Sequence, residues 1–124
     1  VGLVKEEERM MQEYSGKVLR VVDGDTVDCI IDLGFDISIR KRCRLHGIDT
    51  PELRSKDPSM RGVAVECKMK VEELLAEDKN RVKIIYHGDG KFGRPLVELI
   101  VNEKNINKVL VETGYAKEYF GGKR

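Results

Sequence analysis

The chain has no tryptophan, and only three phenylalanines and four tyrosines among its 124 residues. A surface that grips single-stranded nucleic acid by stacking alone relies on aromatic platforms, so this shortage argues against a module whose whole activity is stacking. Its three cysteines, Cys29, Cys43 and Cys67, are an odd number with no Cys-x-x-Cys pair. That excludes a disulfide framework and a zinc knuckle and leaves reduced thiols in a core. No long apolar run is present, so nothing reads as a membrane-spanning helix. Neither sign of charge is in excess: 23 Lys+Arg against 22 Asp+Glu leave a net +1, which rules out coating of nucleic acid by bulk charge. The length suits one domain of roughly 100 to 200 residues. With 40% hydrophobic and 36% charged residues the chain has the composition of a folded globular domain and not of a disordered one. Reduced thiols and the lack of a visible signal segment favour a cytoplasmic location, while a leader removed ahead of Val1 would mean secretion.

The even overall charge hides a local asymmetry. From Arg40 to Arg61 seven basic residues (Arg40, Lys41, Arg42, Arg44, Arg54, Lys56, Arg61) face three acidic ones (Asp49, Glu52, Asp57). Residues 1–13 lean the other way, with Glu6, Glu7, Glu8 and Glu13 outnumbering Lys5 and Arg9, and read as a charged N-terminal arm. The domain is expected over 14–120, with 121–124 as a short flexible tail.

The β-branched run Val18, Leu19, Val21, Val22 stopped by Asp23-Gly24 reads as a strand ending in a tight turn, and Val27 to Ile31 as its partner. In a third strand Phe35, Ile37, Ile39, Cys43 and Leu45 fall on one face and Asp36, Ser38, Arg40, Arg42, Arg44 and His46 on the other, with Lys41 as the exception. Asp57-Pro58 supplies an N-cap and first-turn proline for a helix whose stripe is Met60, Val63, Ala64, Cys67, Val71, Leu74 and Leu75. A fourth strand, Arg81 to Tyr86, leads into the loop His87 to Gly93. A fifth runs through Leu96 to Ile100, and a short helix from about Ile106 to Thr113 ends at Gly114 as a C′ glycine. The order β-β-β-α-β-β-α predicts an α+β, mainly β chain: an OB-fold five-stranded barrel with two helices.

Acidic residues gather where these strands stop: Asp23 and Asp25, then Asp49-Thr50-Pro51-Glu52. Strand ends are where a rigid scaffold brings distant carboxylates together, and a hard cation such as calcium takes six to eight oxygen ligands. The plain alternative is that both segments are turns. Arg44 at the end of the third strand and Arg94 after the glycine loop offer planar forks that match phosphate oxygens, though either alone is equally a solvated surface residue.

Four motifs, Val22-Asp23-Gly24-Asp25-Thr26-Val27, Arg44-Leu45-His46-Gly47-Ile48-Asp49-Thr50-Pro51-Glu52, Phe92-Gly93-Arg94 and Leu110-Val111-Glu112-Thr113-Gly114-Tyr115-Ala116, resemble in order those of the staphylococcal nuclease (thermonuclease) family. The resemblance runs from about Ser15 to Tyr119 and carries an OB-type barrel with it. It implies a calcium-dependent nuclease acting as a monomer on DNA and RNA, single-stranded or frayed substrate preferred, and leaving 3′-phosphates. By position, Asp25, Asp49 and the backbone carbonyl of Thr50 would hold Ca2+, and Glu52 would orient or deprotonate the attacking water. Arg44 and Arg94 would bind the phosphate and stabilise the five-coordinate transition state. Lys91, Phe92 and Tyr119 would contact substrate. Two positions depart from the family pattern: Phe92 stands where tyrosine is common, and Gly90 where an acidic residue is expected, with Asp89 one place earlier.

Two rival readings belong to other classes. Asp23-Gly24-Asp25-Thr26-Val27 fits the first motif of haloacid-dehalogenase-type phosphatases, but that fold needs a parallel sheet with alternating helices. A catalytically silent OB module that binds single strands is the alternative function. His46 and His87 have no partner at ligand spacing and read as solvated or packing residues. Cys29 and Cys43 read as inert buried thiols.

Overall fold

The computed structural model describes residues 12–120; most of the charged arm and the 121–124 tail lie outside them. The elements are β1 (Gln12–Asp23), β2 (Thr26–Gly34), β3 (Ile37–Leu45), β4 (Ile48–Asp49), α1 (Pro58–Ala76), β5 (Arg81–Asp89), β6 (Pro95–Val101), β7 (Lys104–Asn105), α2 (Ile106–Glu112) and β8 (Lys117–Glu118). A single 3-10 turn, Lys91–Gly93, joins β5 to β6.

β1, β2 and β3 form the antiparallel meander expected from their turn chemistry. β5 pairs antiparallel with β1 and with β6, and β6 closes the ring by pairing in parallel with β3 at Arg44↔Leu96 and Leu45↔Val97. The ring β1-β2-β3-β6-β5 is the five-stranded OB-fold barrel, closed by the short parallel contact between the end of β3 and the start of β6. Register shifts after Val18 and Val21 bulge β1, the means by which a strand turns a barrel corner.

The core is aliphatic. Val18, Val27, Cys29, Cys43, Leu45, Ile84, Val97 and Leu99 fill the barrel, and Cys67, Val71, Leu74 and Leu75 of α1 join the same cluster. Each fully buried side chain of this size contributes about 1.5–3 kcal/mol. All three cysteines are buried and free. The N-cap holds: the Asp57 carboxylate accepts from the Ser59 amide at 3.0 Å and its hydroxyl at 2.8 Å, with Pro58 beginning the helix. α2 closes with Gly114 at φ +82°, and the Gly114 and Tyr115 amides donate to the Val111 and Leu110 carbonyls, a left-handed cap that suits glycine.

Three expectations are corrected. On the core face of β3 Cys43 and Leu45 are buried and Ile39 is half-buried against the core, while Phe35 and Ile37 are exposed because the β2–β3 hairpin overruns the barrel. Met60 and Val63 are also exposed, since the first turns of α1 project past the barrel and burial starts at Ala64. Finally, β1 starts at Gln12 and β5 runs on to Asp89, so Glu13 and His87 lie in strands. Pairing Gln12↔Tyr86 extends both strands where the sequence carries no apolar alternation.

Candidate functional site

The β1–β2 turn delivers Asp25 to the place where β3 ends. Its backbone carbonyl accepts from the Leu45 amide at 2.8 Å, which ties the turn to β3. Its carboxylate is buried, the residue being 7% exposed. Burial of a charge demands partners: Oδ1 accepts from the Thr26 hydroxyl at 3.1 Å and Oδ2 from the Thr50 amide at 3.2 Å. The Arg44 guanidinium supplies the opposite charge. Nη2 stands 3.6 Å from Asp25 Oδ2 and 3.2 Å from Asp49 Oδ1, while Nη1 donates to the Ile48 carbonyl at 3.0 Å. The Tyr119 ring lies 5.8 Å from the guanidinium carbon. Asp25, Arg44, Asp49, Thr50 and Tyr119, drawn from four separate segments, thus form one cluster.

Close packing holds these segments. A Cβ on Gly24 would fall 2.3 Å from Cys67 Sγ and 3.1 Å from Thr50 Oγ1, so only glycine lets the Asp25 turn lie against α1. Burial first, and the nearby Asp25 charge second, push the Cys67 thiol up to about 11, which keeps it protonated and inert. β4 pairs with β8, and the Tyr119 amide donates to the Gly47 carbonyl at 2.8 Å, so the C-terminal strand clamps the Asp49 loop. The Asp23 carboxylate accepts from the Leu53 amide at 3.1 Å and fastens the chain beyond Glu52 to the same turn.

The other expected residues are placed differently. Glu52 is exposed in the loop after Thr50, its backbone carbonyl accepting from the Ser55 amide at 3.1 Å. Lys91, Phe92 and Arg94 make a group of their own on the β5–β6 connection, with the Arg94 guanidinium 5.6 Å from the Phe92 ring centre.

Sequence reasoning missed two contributors, Thr26 and Asn107, while the histidines take the packing role expected of them. Thr26 bonds the Asp25 carboxylate, for which a hydroxyl next to an acidic turn is the available signal. Asn107 is buried, accepts from the Leu99 amide at 3.3 Å, and donates to the His46 and Val97 carbonyls at 2.9 and 3.0 Å. A polar residue on the inner side of α2 is its only trace in the sequence. The histidines stack on each other, ring centres 4.1 Å apart, with Phe120 edge-on to His46. Burial pushes the His46 imidazole below its usual range, His87 adds to this, and Glu98 opposes it.

The donor chemistry suits a hard cation. Two carboxylates from separate loops meet at one guanidinium nitrogen, and the Thr50 hydroxyl beside them is buried without a hydrogen-bond partner. Among the described residues no group of three or more His, Cys, Asp or Glu side chains is arranged to hold a metal. A cation here would therefore complete its shell from backbone carbonyl and water oxygens.

Fold and cluster together define a class: an OB-fold domain that presents an arginine between carboxylates at its strand ends. A family model described as "Staphylococcal nuclease homologue" matches residues 42–124, two thirds of the chain. The chain belongs to the staphylococcal nuclease homologue family. It is 27% identical over 108 residues to a protein named "Thermonuclease" from Staphylococcus hyicus, covering 87% of this chain and 61% of that protein. It is 31% identical over 115 residues to "Endonuclease YhcR" of Bacillus subtilis, covering 87% of this chain and 9% of that protein. An uncharacterized protein, MJ1439, of Methanocaldococcus jannaschii is 28% identical over 130 residues, covering 87% of this chain and 60% of that protein. The chain thus spans less than two thirds of the length of each of these relatives. The family match begins at Arg42, so it takes in Arg44, Asp49, Thr50, Glu52 and Arg94 and leaves out Asp25. Among the described residues no helix is long and apolar enough to cross a membrane.

Proposed function

We propose that this nuclease-family domain is a calcium-dependent endonuclease that hydrolyses DNA and RNA and leaves 3′-phosphate ends, acting as a monomer with single-stranded or frayed substrate preferred. The observation that carries the reading is Arg44 lodged between Asp25 and Asp49, with a guanidinium nitrogen 3.6 and 3.2 Å from their carboxylates. In this reading Asp25, Asp49 and the Thr50 carbonyl hold Ca2+. When bound, the ion supplies positive charge that offsets the two carboxylates and polarises a phosphate oxygen.

The chain's own residues then divide the work. Glu52 stands in the loop that follows the carboxylate cluster and is exposed, so it is open to the solvent that supplies the nucleophile. It orients a water and takes its proton while the water oxygen bonds to phosphorus. The bond from phosphorus to the 5′ oxygen breaks, that oxygen gains a proton, and the phosphate stays on the 3′ side. Arg44, held by carbonyls and carboxylates, donates to the equatorial oxygens as charge spreads over them. Arg94, on the β5–β6 connection, grips the same phosphate from a segment with fewer ties. Lys91, Phe92 and Tyr119 contact the flanking nucleotide.

Cleavage of plasmid DNA and of single-stranded RNA tests the reading. Calcium should support cleavage, chelation should abolish it, and Asp25→Asn or Asp49→Asn should lower both turnover and calcium affinity. Full activity in excess EDTA refutes the metal site, and no cleavage under any condition leaves the silent binding module.

A further inference from the structure

All three phenylalanines of the chain are exposed: Phe35 by 98%, Phe92 by 89% and Phe120 by 75%. Phenylalanine is ordinarily a core residue, yet this core is built without it. Phe35, at φ +53° with Asp36 at +61°, forms the two-residue turn of the β2–β3 hairpin, and Phe92 holds φ +62° on the β5–β6 connection, so both rings are carried out on turns. Phe35 lies in the β2–β3 hairpin, two residues beyond Leu33, and Phe92 on the β5–β6 connection next to Gly93, both of which border the barrel mouth. A cavity of about 220 Å³ opens there, lined by side chains from all five barrel strands, among them Tyr14, Leu33, Ile39, Lys41, Tyr86 and Pro95. Drug-sized ligands take roughly 300–1,000 Å³, so this one admits a single ring system.

We propose that this barrel mouth is a second binding site, for unpaired nucleobases of single-stranded nucleic acid. One base enters the cavity, its neighbours stack on Phe35 and Phe92, and Lys41 meets the phosphate between them. The proposal rests on the reading that the domain acts on nucleic acid. Lys91 and Phe92 are already expected contacts in that reading; Phe35, Leu33, Lys41 and the cavity are new to it.

Charge complementarity selects the occupant. Lys41 lines the cavity, Gly93 and Pro95 of its wall flank Arg94 in sequence, and the Arg94 guanidinium already lies over the Phe92 ring. Interleaved aromatic and basic groups are the surface that sequence-tolerant single-strand binding uses. The cavity's one carboxylate, Asp89, accepts from the Tyr86 hydroxyl at 2.7 Å. The reach is also right. From Ile37 to Arg44 a strand rising about 3.3 Å per residue covers roughly 23 Å. At 3.4 Å or more per nucleotide that is at most about seven nucleotides, inside the roughly 4–16 that one OB fold accommodates.

The test is anisotropy of a labelled oligothymidylate of about 12 nucleotides, read in parallel with its cleavage in calcium. Binding is measured with Glu52→Gln, alone and combined with Phe35→Ala or Lys41→Ala, sedimentation and thermal melts being recorded for each. Phe35→Ala should weaken binding about tenfold, the order expected for one lost stacking partner, with an unchanged melt. Lys41→Ala should weaken it and flatten its salt dependence. Equal affinity with and without Phe35 overturns the mouth site while leaving the nuclease reading intact. Binding that depends on Phe35, with no cleavage by the unmodified chain, overturns the nuclease reading and leaves the mouth site standing. No binding at all overturns both. A chain that self-associates, and becomes monomeric with Phe35→Ala, shows that the surface joins two copies and refutes the proposal.

Discussion

Alanine in place of Gly24 sets a methyl carbon 2.3 Å from Cys67 Sγ and 3.1 Å from both Cys67 Cβ and Thr50 Oγ1. An ordinary contact needs more than 1 Å of extra room. Cys67 is fully buried and cannot swing into solvent, so the Asp25 turn and α1 must separate. Overpacking of this kind costs about 1–3 kcal/mol, which lowers Tm by roughly 4–15 °C in a domain of this size. The strain should fall on the site as well, because the same shift draws Asp25 from the Thr50 amide and from Arg44. Cys67→Ala removes the sulfur and should be mildly destabilising alone, yet combined with Gly24→Ala it gives the new methyl a place to go. Urea melts of the two single variants and the double variant measure the coupling, expected to be stabilising by about 1 kcal/mol or more. Strict additivity, or a Gly24→Ala chain as stable as the parent, would show that the turn does not press on α1.

Asn107→Ala should cost about 2–4 kcal/mol in urea melts, because it strips one amide and two carbonyls of their partners in a buried place; a loss under 1 kcal/mol contradicts its role in tying β6 to the His46 loop. Stability should also depend on His46. Its imidazole stays uncharged to lower pH in the fold than in the unfolded chain, where protonation sets in near pH 6.5. The stack's contribution is therefore full above about pH 6.5 and is lost as pH falls below it. Tm measured from pH 8 to 5 should show this slope and His46→Phe should flatten it, whereas an unchanged slope places the titration elsewhere. Arg44→Lys should cut turnover with little change in KM, because its fork is fixed by the Ile48 carbonyl and two carboxylates. Arg94→Lys should damage both constants, and near-parental turnover in both variants would reduce the arginines to electrostatic steering.

Much of this was legible in the residues because local chemistry and global fold agree in them. Asp23-Gly24 and Gly114 mark turns that the barrel uses, and Asp57-Pro58 caps the helix that the pattern demands. Asp25, Arg44 and Asp49 meet because each sits where a strand stops. The illegible parts arise from tertiary pairing. Gln12 to Ser15 carry no strand signal and become one because β5 lies beside them. The β4–β8 pair spans about seventy residues of sequence with two residues on each side, too few for any periodicity. Phe35 and Ile37 alternate like core residues, and nothing local reveals that their hairpin overruns the barrel. Lys41 breaks that alternation, and its position on the wall of the barrel-mouth cavity gives the reason.

Asp25, Arg44, Asp49 and the neighbouring Glu52 are proposed to form a phosphodiester-cleaving site. Turnover of one short single-stranded DNA in calcium, with products resolved by end group, tests it most directly when the parent chain and Glu52→Gln are run side by side. The expected result is 3′-phosphate products from the parent and a rate lower by a factor of about 100 to 10,000 in the variant, partly restored as pH rises and hydroxide replaces the assisted water. Equal rates for the two chains, or a parent that leaves the DNA intact, would contradict it.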